Sequence, residues 1–302
     1  MSHSETSTKS IYYALMANAG IAITKTIAAV ITGSGAMLAE SIHSFADCGN
    51  QGLLFLGLKA AKRKPDAKYP LGYGRATYFW SFVVAIILFS LGGLFSVYEG
   101  IHKLTAIEPI ESPYIALGVL FFSILLEGFS LWGCLKEINK IRGNKSIPRW
   151  VRESRQSELV VVLGEDVAAL LGLAFAFGAV IVTMLTGNPV YDAIGSIGIG
   201  VLLLIISVII AIKIKGLLVG QSASPEQVAA ITAHLESAPE INKVLNVITL
   251  QLGQTLMVSV KADMKEKQSV AKLIEDINSC ERGLKFAFPD VQWSFFEPDF
   301  MK

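Results

Sequence analysis

Apolar residues fall into six long runs separated by short polar stretches, at approximately Ile11–Ile31, Ala36–Leu58, Thr77–Val97, Tyr114–Leu135, Ser157–Leu185 and Val190–Ile212. Crossing a hydrocarbon core takes roughly 20 apolar residues as an α-helix, and each run is long enough. Lipid cannot satisfy backbone amides, so such runs are expected to be helical. After Gly220 the pattern changes. SPEQVAAITAHLESA places Ser224 and Pro225 at N-cap and N1 positions and continues with amphipathic helical spacing. VLNVITLQL and TLMVSVKAD read as strands on either side of a Gly253–Gln254 turn, the second alternating Leu256, Val258 and Val260 against Met257, Ser259 and Lys261. A helix from about Ser269 to Phe286 and a last strand around VQWSFFE complete the order αββαβ. That order suggests a ferredoxin-like layer of helices on one sheet. The expected fold is an α-helical membrane protein: a polar tail over 1–10, a six-transmembrane-helix bundle over 11–217, and a small α+β domain over 218–302.

Composition supports the membrane reading. The chain of 302 residues is 52% hydrophobic and 17% charged, with a mean hydropathy of +0.53, too apolar for an ordinary soluble protein. Its net charge of +1 identifies no partner, and nothing points to nucleic acid. The placement of the basic residues is more informative. Lys59, Lys62, Arg63, Lys64, Lys68 and Arg75 follow the second run, and Lys136, Lys140, Arg142, Lys145, Arg149, Arg152 and Arg155 follow the fourth. The turns TGSGA and TGNPVYD carry no Lys or Arg, and the third connection carries only His102 and Lys103. The positive-inside rule therefore puts both basic loops and both termini in the cytoplasm. MSHSETSTKS lacks a basic segment ahead of a cleavable apolar core, so no removable signal peptide is expected. Short loops and the lack of a targeting segment suggest a bacterial inner membrane. Cys48, Cys134 and Cys280 form no CxxC pair and are expected to serve packing.

Ionisable groups deep in a bilayer cost at least a few kcal/mol and commonly mark a pathway or site. His43 and Asp47, four residues apart, share one face of the second helix, and imidazole with carboxylate suits zinc or a similar divalent ion. Glu165 and Asp166 lie in the fifth run; being adjacent, they point about 100° apart, so only one can face the first pair squarely. The competing reading is a polar contact between helices. Glu40, on nearly the same stripe as His43, either guides cations inward or is hydrated. Lys25 is expected to snorkel or to pair with Glu99, Glu127 or Asp192. Asn18 and Asn50 suit interhelical hydrogen bonds or weak ligation. The glycines of AIGSIGIG suit close helix packing, and His234 suits a solvent-facing position.

GSGAMLAESIHSFADCGNQ, the loop KRKPDAKYPLGYGRATYFW, the six runs and a tail ending FPDVQWSFFEPD together resemble the cation diffusion facilitator family of metal/proton antiporters. The resemblance covers nearly the whole chain. It implies a tetrahedral transport site with two ligands four apart on the second helix, matched by His43 and Asp47, and His-x-x-x-Asp on the fifth. Here that second pair reads Val161 to Glu165 or Val162 to Asp166, so its histidine is replaced by Val. The doubled carboxylate resembles the zinc-transporter-nine-like branch. The family's loop site is also reduced, with Asp66 present but Tyr69 and Tyr73 at the two His positions. The resemblance further implies a homodimer joined through the tail, here by packing of Trp293, Phe295 and Phe296. Arg75 matches a basic residue that in some relatives pairs with an acid at the start of the tail, and LLVGQSASPE offers no such Asp.

The expected function is efflux of a divalent metal ion, zinc first, with protons as counter-ion, by alternating access. One His among carboxylates is a harder donor set than two, so manganese, iron or cobalt are alternatives. An enzyme is not expected: no HExxH pair is present for a membrane metallohydrolase. A non-transporting scaffold or regulator with a degenerate metal site is the remaining rival.

Overall fold

A computed structural model of the chain describes residues 3–105, 112–265 and 269–300, with backbone alone for residues 3–17, 35, 36 and 39. Helix α1 (His3–Thr32) turns through Gly33 and Ser34 into α2 (Gly35–Ala61). Gly33 has φ 63°, a left-handed conformation that costs glycine least, and the Ser34 side chain caps α2 by accepting from the Met37 amide. Next come α3 (Ala76–Thr105), α4 (Pro113–Ile141), a short α5 (Ile147–Glu153), α6 (Ser157–Thr186) and α7 (Val190–Val219). Among the described residues, four helices are long and apolar enough to cross a membrane: α3, α4, α6 and α7. Of α1, the apolar stretch counted is Asn18–Thr32.

Several helices outrun their apolar runs. Helix α4 carries Lys136 and Lys140 on its last turns, α7 carries Lys213 and Lys215, and α3 continues past Val97 through His102 and Lys103. Hydropathy marks where a helix meets lipid, whereas intrahelical hydrogen bonding carries it on into water. In the middle of α3, Leu88–Leu94 (LFSLGGL) is wound as a π-helix, a local widening often found near functional sites.

Glycine and other small residues set the packing of α3, α6 and α7. A Cβ at Gly200 would lie 2.6 Å from the backbone nitrogen of Val97, and one at Gly195 would lie 2.3 Å from the Cβ of Ala179. Without a hydrophobic drive between helices in lipid, this close approach is what dispersion contacts require. A buried cluster including Tyr78, Leu88, Leu120, Leu173, Ile199 and Leu203 fills the bundle.

The small domain has its own core around Ile231, Leu235, Val258, Val260 and Leu284. Its elements are α8 (Pro225–Glu236), β1 (Ile241–Leu252), β2 (Thr255–Met264), α9 (Val270–Ala287) and β3 (Val291–Pro298). The sheet order is β1-β2-β3, with β1 antiparallel and β3 parallel to β2. Leu256, Val258, Val260, Ala262 and Met264 are buried in the core with the helices. On the opposite face β2 carries Met257, which pairs with Leu250 and Trp293, and Ser259, which pairs with Ile248 and Phe295. Ile248 and Phe295 are more than half exposed.

The two parts meet closely. The hydroxyl of Tyr78, at the start of α3, accepts from the Gly253 amide at 2.9 Å and donates to the Gly253 carbonyl at 3.3 Å. A Cβ at Gly74 would lie 2.1 Å from the Leu252 carbonyl oxygen, so the first basic loop lies directly on the hairpin turn. Arg155 donates to the carbonyls of Ser222 at 2.7 Å and Ala223 at 3.3 Å, and Lys145 pairs with Glu226 at 2.9 Å. Both basic loops therefore stand at the end of the bundle that carries the small domain. Arg75 lies beside Gly220, and Tyr78 and Arg155 make hydrogen bonds across the junction.

Candidate metal centre

The inward stripe of α2 is polar in a way that hydrocarbon packing alone does not require. Glu40, His43, Ser44, Asp47 and Asn50 recur at helical spacing, and all are buried. Four-residue spacing brings His43 Nε2 to 3.5 Å from Asp47 Oδ2, within ion-pair range but without hydrogen-bond geometry. The imidazole faces the π-helical part of α3, where a Cβ at Gly92 would lie 3.8 Å from His43 Nδ1.

The adjacent carboxylates of α6 divide between two neighbours. Glu165 faces α2, where Asn50 Nδ2 donates to its Oε1 at 2.7 Å. Asp166 faces α4, where Ser130 Oγ donates to its Oδ1 at 3.2 Å. The angle of about 100° between successive residues separates them. Glu165 belongs to the same α6 stripe as the buried Val161, Ala168, Ala169 and Gly172. In the register Val161 to Glu165, the absent histidine position thus lies on the α2-facing side.

His43 and Asp47 are together, then, with Glu165 opposite the α2 stripe one turn further along, and Asp166 turned to a different interface. Among the described residues, no group of three or more His, Cys, Asp or Glu stands close enough to hold a metal ion. Yet several buried donor atoms on these helices make no hydrogen bond among the described residues: His43 Nδ1 and Nε2, Asp47 Oδ1, Asn50 Oδ1 and Asp166 Oδ2. Buried polar atoms are rarely left so, and such a set of nitrogen and oxygen donors suits a cation.

Two acids and an ammonium complete the cluster. Lys25 is fully buried; its Nζ lies 3.4 Å from Glu40 Oε2 and donates to Ser44 Oγ at 2.8 Å. Its partner is Glu40, which is fully buried. Asp192 instead accepts from Ser34 at 2.7 Å. The pairing has a sequence signal: Lys25 stands eight residues before Gly33 and Glu40 seven after it. At 1.5 Å per residue both lie about 11 Å from one tight turn, at matching depth. Glu127 is buried on the α4 stripe with Leu120, Ser123 and Cys134. Its spacing from Leu120 and Ser123 is the sign that it points inward.

The remaining candidates lie elsewhere. In the first basic loop, Asp66 accepts from the amides of Lys68 at 2.9 Å and Tyr69 at 2.7 Å, and from the Tyr73 hydroxyl at 2.6 Å. The Tyr73 hydroxyl, then the Tyr69 amide, hold the Asp66 carboxyl below the usual carboxylate range. Tyrosine therefore occupies the acid where histidines would have shared a metal with it. His234 packs edge-on against Phe288 at 5.7 Å rather than facing solvent freely. A cavity of about 400 Å³ lies at the junction with the small domain, among Arg142, Trp150, Arg155 and Gln227, away from His43 and Asp47.

The cation efflux transmembrane domain family model matches residues 11–218. The chain is 38% identical over 242 residues to the "Proton-coupled zinc antiporter SLC30A9, mitochondrial" of Xenopus laevis, covering 80% of this chain and 43% of that protein. It is 32% identical over 206 residues to metal tolerance protein C4 of Arabidopsis thaliana, covering 68% of this chain and 45% of the relative. Magnetosome protein MamB of Magnetospira is 29% identical over 194 residues, covering 64% of this chain and 60% of the relative. The chain thus spans about two-fifths of the length of the zinc antiporters it matches.

Proposed function

Because the chain belongs to the cation efflux family, close to its zinc-transporter-nine-like branch, we propose that it carries divalent metal ions, zinc first, across a membrane in exchange for protons. The observation that carries this reading is the buried α2 stripe. His43 and Asp47 lie together with unpartnered donor atoms, opposite Glu165 of α6. In this proposal α1 and α2 join the four apolar helices as six spans over 11–217, and residues 218–302 form the small domain at the cytoplasmic end. The clustering of both basic loops at that end supports the orientation.

His43, Asp47 and Glu165 are the proposed ligands, with Asp166 of α6 held in reserve against Ser130 of α4. Glu165 Oε1 accepts from Asn50, so in this proposal the ion meets the remaining lone pairs of the carboxylate. A neutral imidazole and ionised carboxylates bind the ion, so loading releases protons and protonation ejects it. Alternating access then follows if the bundle rocks between a state that loads from the small-domain side and one that discharges at the opposite end. With a single imidazole among carboxylates, manganese, iron and cobalt are the alternative cargoes. The free sheet face, with Ile248, Met257, Trp293 and Phe295, suits the packing of a homodimer.

One observation favours a second reading, a scaffold or regulator that binds no ion: the absence, among the described residues, of three convergent ligands. Flux measurements separate the two. In proteoliposomes with an imposed pH gradient, wild type is expected to move zinc and Asp47→Ala to lose at least tenfold of that flux while remaining monodisperse. Equal flux by the two proteins removes the assignment of Asp47. A wild type that neither moves nor binds zinc or manganese at micromolar concentration establishes the second reading.

A further inference from the structure

The buried ammonium of Lys25 stands in an acid cluster where a fixed positive charge has a consequence for any incoming cation. Its side chain is completely enclosed, held by Glu40 at 3.4 Å and Ser44 at 2.8 Å. Ser44 adjoins His43 on α2. On the other side of the pair, Glu40 Oε1 lies against α6, only 2.5 Å from where a Cβ at Gly172 would be, so the pair is wedged between α1, α2 and α6. Glu40 stands one turn before His43 on α2 and Ser44 directly after it, so the ammonium sits beside the first of the proposed ligands.

We propose that Lys25 is a tethered counter-cation that competes with the transported ion for this carboxylate set and so sets the affinity of the site. The inference rests on the functional reading above and adds a determinant to it. When the ion is absent, the ammonium balances Glu40, whose charge would otherwise be stranded in a low-dielectric interior. When a dication arrives at His43 and Asp47, the same ammonium repels it, and Coulombic repulsion between buried charges is weakly screened. The site therefore binds more weakly than its carboxylates alone would allow, which keeps a transported ion releasable.

A structural brace and a competing charge make different predictions. If the pair only braces α1 against α2, removing either partner loosens the bundle and weakens binding in both cases. If the charge competes, the two removals act with opposite sign. Lys25→Met takes away the repulsion, whereas Glu40→Gln frees the ammonium to lean on the remaining carboxylates.

The test is calorimetric titration of the purified full chain in detergent with zinc, and separately with manganese, at fixed pH and salt. Lys25→Met is expected to tighten zinc binding at least tenfold, and Lys25→Arg to stay within threefold of wild type. Glu40→Gln is expected to weaken binding at least threefold, and the double variant, which removes one charge of each sign, to return to within threefold of wild type. Should Lys25→Met fail to fold, Glu40→Gln and the double variant decide. Unchanged or weaker binding by Lys25→Met, or tighter or unchanged binding by Glu40→Gln, overturns the proposal while leaving the transport reading in place if Asp47→Ala still abolishes binding. Wild type that binds neither ion overturns both.

Discussion

Replacing Gly200 with alanine tests whether the close approach of α3 and α7 holds the candidate centre in shape. The added Cβ would lie 2.6 Å from both the backbone nitrogen and Cγ2 of Val97, and 2.8 Å from the Gly93 carbonyl oxygen. Ordinary contact begins near 3.4 Å, so a gap of about 0.8 Å must open, and two of the three atoms are backbone that no rotamer change can move. Helix α3 must therefore retreat as a body. Overpacking of this kind costs about 1–3 kcal/mol, and on the scale of a 150–250-residue domain each kcal/mol moves Tm by about 2–4 °C. The expected loss is then roughly 2–12 °C. Because Gly92 of α3 lies against His43, the retreat also leaves the imidazole less confined, and zinc flux is expected to fall with stability.

Gly118→Ala in α4 is the matched control, since a Cβ there meets nothing within 4 Å. It gains up to about 1 kcal/mol of helix propensity and is expected to hold or raise Tm. Thermal unfolding of the purified proteins in one detergent, followed by tryptophan fluorescence, reads both. A Gly200→Ala protein within 1 °C of Gly118→Ala would refute the account of α3–α7 packing.

Two further changes probe the end that carries the small domain. Tyr78→Phe removes the acceptor of the Gly253 amide; the Gly253 carbonyl keeps Gln251 Nε2 at 2.9 Å, so one buried N–H is orphaned at a cost of about 1–3 kcal/mol. Faster hydrogen exchange at Gly253 is expected, and unchanged protection would exclude this hydrogen bond as the link. Tyr73→Phe removes the main cause holding the Asp66 carboxyl below its ordinary range. A depressed carboxyl stabilises the folded loop above its unfolded value and loses that contribution as pH falls through the folded one, so the variant's Asp66 is expected to titrate at higher pH. Carbon-detected NMR of the labelled carboxyl measures it, and an unmoved midpoint would show that Tyr73 is not the cause.

What the sequence discloses, and what it withholds, follows from the range of each interaction. The alternation in β2 and the helix start at Ser224–Pro225 are local, and both elements form where those patterns place them. The four-residue spacing of His43 and Asp47 is likewise local and does bring the two side chains together. The partner of Lys25 is not local in that sense. Glu99, Glu127 and Asp192 are equally good carboxylates by type, and only the depth set by the Gly33 turn singles out Glu40. The π-helical turn of Leu88–Leu94 lies against α2 and α7, and apart from the adjacent Gly92 and Gly93 nothing in LFSLGGL marks it.

The doubled carboxylate of α6 illustrates the same limit and changes how the missing histidine is understood. Adjacent acids suggest a simple replacement, one oxygen donor standing in for one nitrogen. The two acids instead serve different interfaces, Glu165 toward Asn50 of α2 and Asp166 toward Ser130 of α4. Bringing Asp166 to the α2 stripe would require rotating α6 by about 100°, which would carry Gly164 and Gly172 away from their close contacts with Ile210 and Glu40. In the register Val161 to Glu165 the nitrogen donor is therefore not replaced from the same helix face, because Val161 is buried hydrocarbon. Glu127 of α4 is a further buried acid, on the stripe of Leu120 and Ser123, and its carboxylate type alone assigns it to no interface.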